Sequence, residues 1–307
     1  MSWNKGEFLN LKRFIINLVL KLYSSSPRKP NVNQFSNSSD FKIVITTFER
    51  RFFSYALPLI SLIRKDCDAP IFIIVNGNFD SQIDNSYFQE FVSSINVFPD
   101  IYPVTFSTFR GWSSLINTGI NHADSEFTIV MNDDVYVNPN TLSQDLFTIL
   151  KDCSQQELVL INGSWSHFAI SRNCLNRVGW FDEYFLGIGE EDGDYEVRFQ
   201  KLYQRNVSRN SYSSFINFVD STRDENVAKG IGKYSLFNSV YSQVKNIEIL
   251  KEEILFPDKI TRTNLTWNDE KYTWYWRQRL LHCLSWDNPE AIKQEILQVI
   301  SELRSSS

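Results

Sequence analysis

Short apolar runs alternating with helical stretches between residues 41 and 171 predict an α/β fold. It is a Rossmann-like sheet flanked by helices, with a mostly helical C-terminal extension. Three observations carry this expectation. The runs Phe41–Thr47, Pro70–Val75 and Phe127–Met131 are almost continuously apolar, as strands buried on both faces must be. Stretches of helical periodicity separate them. One of those strands ends in adjacent carboxylates, at the edge where such sheets bind ligands.

Composition sets the outer bounds. Of 307 residues, 42% are hydrophobic and 22% charged, enough apolar material for a sizeable core and too much for disorder along most of the length. Lys plus Arg number 31 against 36 for Asp plus Glu, a formal charge of −5. That balance lacks the basic footprint of a nucleic-acid binder, so any polyanion must be met by a local site or a metal ion. The four cysteines form no C-x-x-C pair and the three histidines no H-x-x-x-H. A zinc finger, a His-rich metal site and a disulfide framework are therefore not expected, and a reduced, cytoplasmic setting is.

In chain order, the first segment is 1–26. Within it Phe8–Tyr23 is apolar apart from a stripe of Asn10, Arg13, Asn17 and Lys21 at helical spacing, with Lys5 and Lys12 adding positive charge. Such a helix either lies in a membrane interface, apolar side down, or packs on the protein's own body. Residues 27–40 read as a Ser/Asn/Pro linker. Phe41–Thr47 is the first strand, Glu49–Lys65 a helix bent by Pro58, and Pro70–Val75 the second strand. Asp100–Phe106 is the third strand, Trp112–Ala123 a helix and Phe127–Met131 the fourth strand. Glu157–Asn162 and His167–Ser171 are shorter strands. The main domain is expected over 41–233. Residues 234–307 form a helical region rich in aromatics, including Trp267, Trp274, Trp276 and Trp286.

Two segments carry chemistry. Met131-Asn132-Asp133-Asp134-Val135 sets two hard carboxylates where a buried strand emerges, suited to Mg²⁺ or Mn²⁺ shared with phosphate oxygens and water. A plain Asn/Asp turn has the same appearance. The second segment runs from Gly187-Ile188-Gly189-Glu190-Glu191-Asp192-Gly193-Asp194 into a helix whose apolar stripe is Tyr195, Phe199, Leu202 and Tyr203. Carboxylates in a first helical turn are held ionised by the macrodipole, and an ionised carboxylate beside a hydroxyl is a general base. Capping needs only one acid; four within five positions repel one another and exceed that need.

Taken together, these segments resemble the GT-A fold glycosyltransferases, especially the large family 2 group. The likeness lies in Ile43-Val44-Ile45-Thr46-Thr47-Phe48-Glu49-Arg50, in Ile74-Val75-Asn76-Gly77-Asn78-Phe79-Asp80, and in Leu115 to Ile120 followed by the strand to Asp134. The Gly187-to-Asp194 segment is similar to the Gly-rich Glu-Asp motif of galactosyltransferases that use UDP-sugars. The resemblance spans roughly residues 41 to 204.

The resemblance implies a set of roles. Thr46, Thr47 and Glu49 would line the nucleotide pocket, Asn76 would approach the base, and Asn117 would face the nucleotide-sugar. Asp134 would be the direct ligand of Mn²⁺ or Mg²⁺, with Asp133 beside the ribose or metal. Asp192 would be the catalytic base, helped by Glu191. Trp180 and the loop through Gly189 would shape the sugar and acceptor pocket. The chain departs from the pattern in reading Asn-Asp-Asp at the metal motif, in Asn76 where the family often has Asp, and in Ile116 where many relatives carry Arg; Arg110 is the nearby candidate for that charge.

The implied activity is metal-dependent, inverting transfer of a sugar from a nucleoside-diphosphate donor, UDP foremost, to a saccharide or lipid-linked saccharide acceptor. The setting would be bacterial surface-polysaccharide synthesis at the inner face of the membrane. Two other classes remain in play. A nucleotidyltransferase making nucleotide-sugars would use a Gly-rich loop after the first strand, and residues 42–50 contain no glycine. A non-catalytic carbohydrate-binding or scaffold relative would have little use for intact acidic motifs.

Overall fold

A computed structural model describes residues 41–76, 85–106, 110–183, 185 and 187–217, together with scattered positions after residue 237. The expected N-terminal helix over 1–26, the linker over 27–40, the Gly77–Asp80 turn and most of 234–307 lie outside the described residues. Among the described residues, no helix is long and apolar enough to cross a membrane.

Strand β1 (Phe41–Phe48) leads through a 3₁₀ turn (Glu49–Arg51) and a π turn (Phe52–Ala56) into helix α1 (Leu57–Ile63). The sequence pattern predicts one bent helix here. Pro58 instead sits in the first turn of α1, where its missing N–H costs nothing, and the tighter and wider turns precede it. Then follow β2 (Ile71–Asn76), α2 (Asn85–Ile95), β3 (Ile101–Thr105), α3 (Trp112–Ala123), β4 (Phe127–Asn132), β5 (Val135–Val137) and α4 (Leu142–Gln156). The remainder is β6 (Leu158–Ile161), β7 (His167–Ser171), α5 (Arg172–Val178), α6 (Glu191–Tyr203), β8 (Ser208–Asn210) and β9 (Phe215–Asn217).

Seven strands form the main sheet in the order β3-β2-β1-β4-β7-β6-β8, while β5 and β9 make a separate antiparallel pair. From β3 to β4 all neighbours are parallel; β7 runs antiparallel to both β4 and β6. The chain leaves β1 for β2 on one side and returns to β4 on the other. The switch point of the topology therefore falls between the C-terminal ends of β1 and β4, where Thr46 pairs with Asn132. An open α/β sheet presents its ligand crevice at such a point.

Alternate side chains of each strand feed two cores. Ile43, Ile45, Ile73, Ile129 and Met131 pack with Phe52, Phe91, Leu146 and Ile149 on one face. Val44, Ile74, Val130, Phe168 and Ile170 pack with Ile116, Ile120, Leu175, Tyr195 and Phe199 on the other. Gly119 permits the close seating of α3: a Cβ there would meet Val44 Cγ1 at 2.4 Å and Ile74 Cγ1 at 3.0 Å.

Candidate active site

The crevice is built from the two strand ends inward. Thr46 Oγ1 donates to Asn132 Oδ1 at 2.8 Å, and Thr47 Oγ1 donates to Asp133 Oδ2 at 2.7 Å. These two threonines are spaced so that each clasps one residue of the acidic turn, on opposite faces of the sheet. Asp133 is buried and also pairs with Arg51 Nη2 at 2.8 Å; that guanidinium lies over the Tyr55 ring, 4.4 Å from its centre. Burial pushes the Asp133 carboxyl up to about 7, against the downward pull of Arg51 and Thr47. Asp134, half-buried, stands next along the same turn, and Glu49 occupies the 3₁₀ turn after β1.

The donor set is one of hard oxygens. Among the described residues no group of three or more His, Cys, Asp or Glu could surround a metal ion, and Asp133 is committed to Arg51 and Thr47. Asp134 is the adjoining hard oxygen donor, of the kind that Mg²⁺ and Mn²⁺ take together with water and phosphate oxygens.

The second acidic segment lies at the same edge. Trp112, the first residue of α3, donates from its backbone N–H to Gly187 O at 2.8 Å and from its indole Nε1 to Asn132 Oδ1 at 3.5 Å. One residue thus joins the β4 turn to the glycine loop. Gly111 makes the approach possible, since a Cβ there would stand 3.3 Å from Phe185 O and 3.4 Å from Gly187 N. The loop leads into α6 through Gly189 (φ +123°) and Glu190 (φ +74°). Glu191, buried, accepts the Gly189 N–H on Oε2 at 2.5 Å. Burial pushes its carboxyl up to about 7, with the neighbouring Asp192 adding to the rise. Asp192 is half-buried in the first turn of α6, its Oδ1 accepting the Gly193 N–H at 2.9 Å. Asp194 departs from this cluster: it turns inward to Arg198 at 2.8 Å, which also donates to Val178 O at 3.0 Å.

Three further residues assigned by resemblance make contacts within the protein. Asn76 is closed on the backbone of Arg110, donating to its carbonyl at 2.8 Å and accepting its N–H at 2.9 Å. Asn117 is fully buried in the middle of α3, where it donates to Phe181 O and Glu183 Oε1 and accepts the Phe181 N–H. Its three bonds staple the 181–183 segment to the middle of α3. Trp180 faces the Arg172 guanidinium, 5.8 Å from its ring centre, and Arg172 is bonded to Glu126 at the start of β4. The structure thus sets Trp180 at the end of the sheet opposite the acidic turn. Arg110 lies beside the Phe106 ring at 5.9 Å.

No protein-family profile matches the sequence, and no curated protein matches it. The structural likenesses are distant. A mannosyltransferase, PcManGT from Pyrobaculum calidifontis in complex with GDP-Man and Mn²⁺, is 13% identical, with 97% of this chain and 86% of that one covered and a TM-score of 0.47. S. aureus TarS 1–349 is 13% identical over 87% of this chain and 92% of its own, with a TM-score of 0.46. GalNAc-T7, with UDP, GalNAc and Mn²⁺, is 12% identical over 72% of this chain, with a TM-score of 0.44; the match spans about half, 52%, of that chain. Likeness at this level assigns no activity to this chain.

Arg51, Trp112 and Asn132 are absent from the sequence-derived set. Asn132 was legible as part of the acidic turn, but its partners Thr46 and Trp112 are 86 and 20 residues away. Arg51 carries no signal of its own, because only the fold brings the turn after β1 against the turn after β4.

Proposed function

We propose that this chain is a metal-dependent, inverting glycosyltransferase that moves a sugar from a nucleoside-diphosphate donor, UDP in the first instance, to a saccharide acceptor. The observation that carries the proposal is the joining of two acidic segments through Trp112 at the switch point of the sheet. One segment offers Asp134 toward a metal-bound diphosphate; the other offers Asp192 as a base.

Thr46, Thr47 and Glu49 would form the floor of the nucleotide pocket, with Asn76 shaping its wall through Arg110. Mn²⁺ or Mg²⁺ at Asp134 would offset the charge that builds on the departing diphosphate. Asp192 would take the proton of the acceptor hydroxyl while that oxygen bonds to the anomeric carbon from the face opposite the diphosphate. The bond from the anomeric carbon to the phosphate oxygen breaks in the same displacement, and inversion follows. A single displacement needs one base and no carboxylate nucleophile.

The apolar, basic pattern of 1–26 supports a further part of the proposal: attachment at a membrane surface beside a lipid-linked acceptor, as in bacterial surface-polysaccharide synthesis. Deleting 1–26 should release the protein from membranes and spare transfer to a soluble acceptor.

The central test is calorimetric titration of UDP with and without Mn²⁺, beside Asp134→Ala, followed by assays with UDP-sugars. Metal-dependent binding that vanishes in the variant, with an inverted product, is the expected result. Pyrophosphate release from a nucleoside triphosphate and a sugar phosphate would instead identify a nucleotidyltransferase. Saccharide binding with no turnover would identify a binding module.

A further inference from the structure

The loop that leads into α6 is strained and held from several sides. Gly189 has φ +123°, a value open to glycine, but the next residue, Glu190, has φ +74° with a full side chain. A non-glycine residue in that region is disfavoured and persists only where its surroundings impose it. The imposing groups can be named. Trp112 N–H holds the carbonyl of Gly187 at 2.8 Å. Glu191 Oε2 holds the N–H of Gly189 at 2.5 Å. Asn238 Nδ2 donates to the carbonyl of the same Gly189 at 2.8 Å.

Asn238 is the unexpected member. It lies 49 residues beyond Gly189, in the C-terminal region where the sequence offered no site residue. Its side chain is fully buried, and Ser242, four residues further, is buried too. An amide removed from water must be hydrogen-bonded or it destabilises the fold. The placement of Asn238 against Gly189 is thus a specific contact rather than apolar packing. Together Glu191 and Asn238 engage both backbone groups of one residue, immediately before the strained Glu190 and three positions before Asp192.

We infer that Asn238 is a positioning residue: it fixes the Gly187–Glu190 loop, and through the loop the first turn of α6 and the aim of the Asp192 carboxylate. Its catalytic consequence rests on the proposed role of Asp192 as base. Without the Asn238 contact the Gly189 carbonyl loses its restraint, Glu190 relaxes toward ordinary φ values, and the start of α6 shifts. A base displaced by about 1 Å can lose up to about a hundred-fold in rate without loss of substrate.

The test uses the full-length protein and Asn238→Leu, which keeps approximate size and removes the donor. Asn238→Ser, with a shorter donor, is the substitute should the leucine variant fail to fold. Hydrogen exchange of the 187–192 amides should accelerate about ten-fold or more, while exchange of β1, β2 and β4 stays unchanged. UDP affinity in Mn²⁺ should be retained, and kcat for transfer should fall about ten-fold with donor KM unchanged. The serine variant should recover part of the loss. Unchanged exchange over 187–192 in a folded variant overturns the inference, as does faster exchange with kcat and acceptor KM unaltered. Loss of UDP binding and a general rise in exchange would mark Asn238 as a merely structural residue and overturn it as well. Absence of sugar transfer by the wild-type protein would refute the proposed function instead, and the exchange measurement would still decide whether Asn238 sets the loop.

Discussion

The backbone N–H of Trp112 donates to the carbonyl of Gly187 at 2.8 Å, and this bond ties the start of α3 to the loop before α6. The same residue reaches Asn132 with its indole nitrogen at 3.5 Å, and its ring stands edge-on to Phe181 at 5.3 Å. The acidic turn after β4 and the loop before α6 cannot be set independently when one residue bonds to both. The geometry of the crevice is therefore a property of α3 as much as of the acidic motifs.

Truncation of Trp112 should separate these contributions. Trp112→Phe keeps the backbone bond and most of the ring packing, and loses only the long indole contact, worth about 1 kcal/mol or less. Trp112→Ala opens a cavity beneath the loop and should cost about 3–5 kcal/mol. Urea denaturation reads both. Equal losses in the two variants would mean that the indole–Asn132 contact dominates, contrary to the packing seen here.

The two adjacent carboxylates should behave differently. Asp133 is held by Arg51 and Thr47, so Asp133→Asn should lower stability by about 1–3 kcal/mol through the unpaired guanidinium while leaving metal-dependent UDP binding within a few-fold. Asp134→Asn should abolish the metal dependence. Calorimetry and thermal melts on the same samples check both halves. Loss of metal-dependent binding in Asp133→Asn with no change in stability would reverse the assignment.

Much of this arrangement was legible in the sequence because it is local. The runs Phe41–Thr47, Pro70–Val75 and Phe127–Met131 became β1, β2 and β4 to within a residue or two, since strands buried on both faces leave few polar positions. Trp112–Ala123 became α3 with the same limits. The acidic turns were visible as residue types in order. Their partners were not. Asn117 carries the same side chain whether it faces a ligand or staples Phe181 and Glu183, and only the position of the 181–183 segment decides. Trp180 was given a pocket role by resemblance, and its contact with the Arg172 guanidinium depends on a packing that no local pattern reveals. Short strands β5 and β9 pair across some 80 residues, which no local pattern reveals.

Glu191 gives activity a pH dependence of known sign. Its carboxyl is raised from 4.5 to about 7, and the ionised form is the stronger acceptor for the Gly189 N–H. Transfer should therefore rise with pH through about 7, and Glu191→Gln should flatten that limb. Stability moves the other way. A carboxyl raised on folding stabilises fully below 4.5, and that contribution is lost as pH rises through about 7. The stability of the wild type relative to Glu191→Gln should accordingly fall as pH rises from 4.5 to about 7, because Asp133 and His167 titrate in both proteins and cancel from the comparison. A rate limb that survives Glu191→Gln unchanged would assign it to another group.

His167 should limit stability on the acid side. It lies on β7 opposite Met131, fully buried and stacked on Phe215 with ring centres 6.1 Å apart. Neither ring nitrogen has a hydrogen-bond partner among the described residues. Burial in this apolar setting lowers its pKa from 6.5 to about 4. A histidine depressed on folding contributes stability that is fully present above 6.5 and is lost as pH falls through about 4, because the unfolded chain takes up the proton first. His167→Phe removes the titration, retains the stacking on Phe215, and deletes two buried polar atoms that lack partners. The variant should match or exceed the wild type at pH 7 and surpass it increasingly as the pH is lowered below about 6.5, as followed by denaturant midpoints. Parallel curves for the two proteins down to about pH 4 would mean that His167 takes up its proton in the folded state as readily as in the unfolded chain, which its enclosure between the main sheet and the β5–β9 pair argues against.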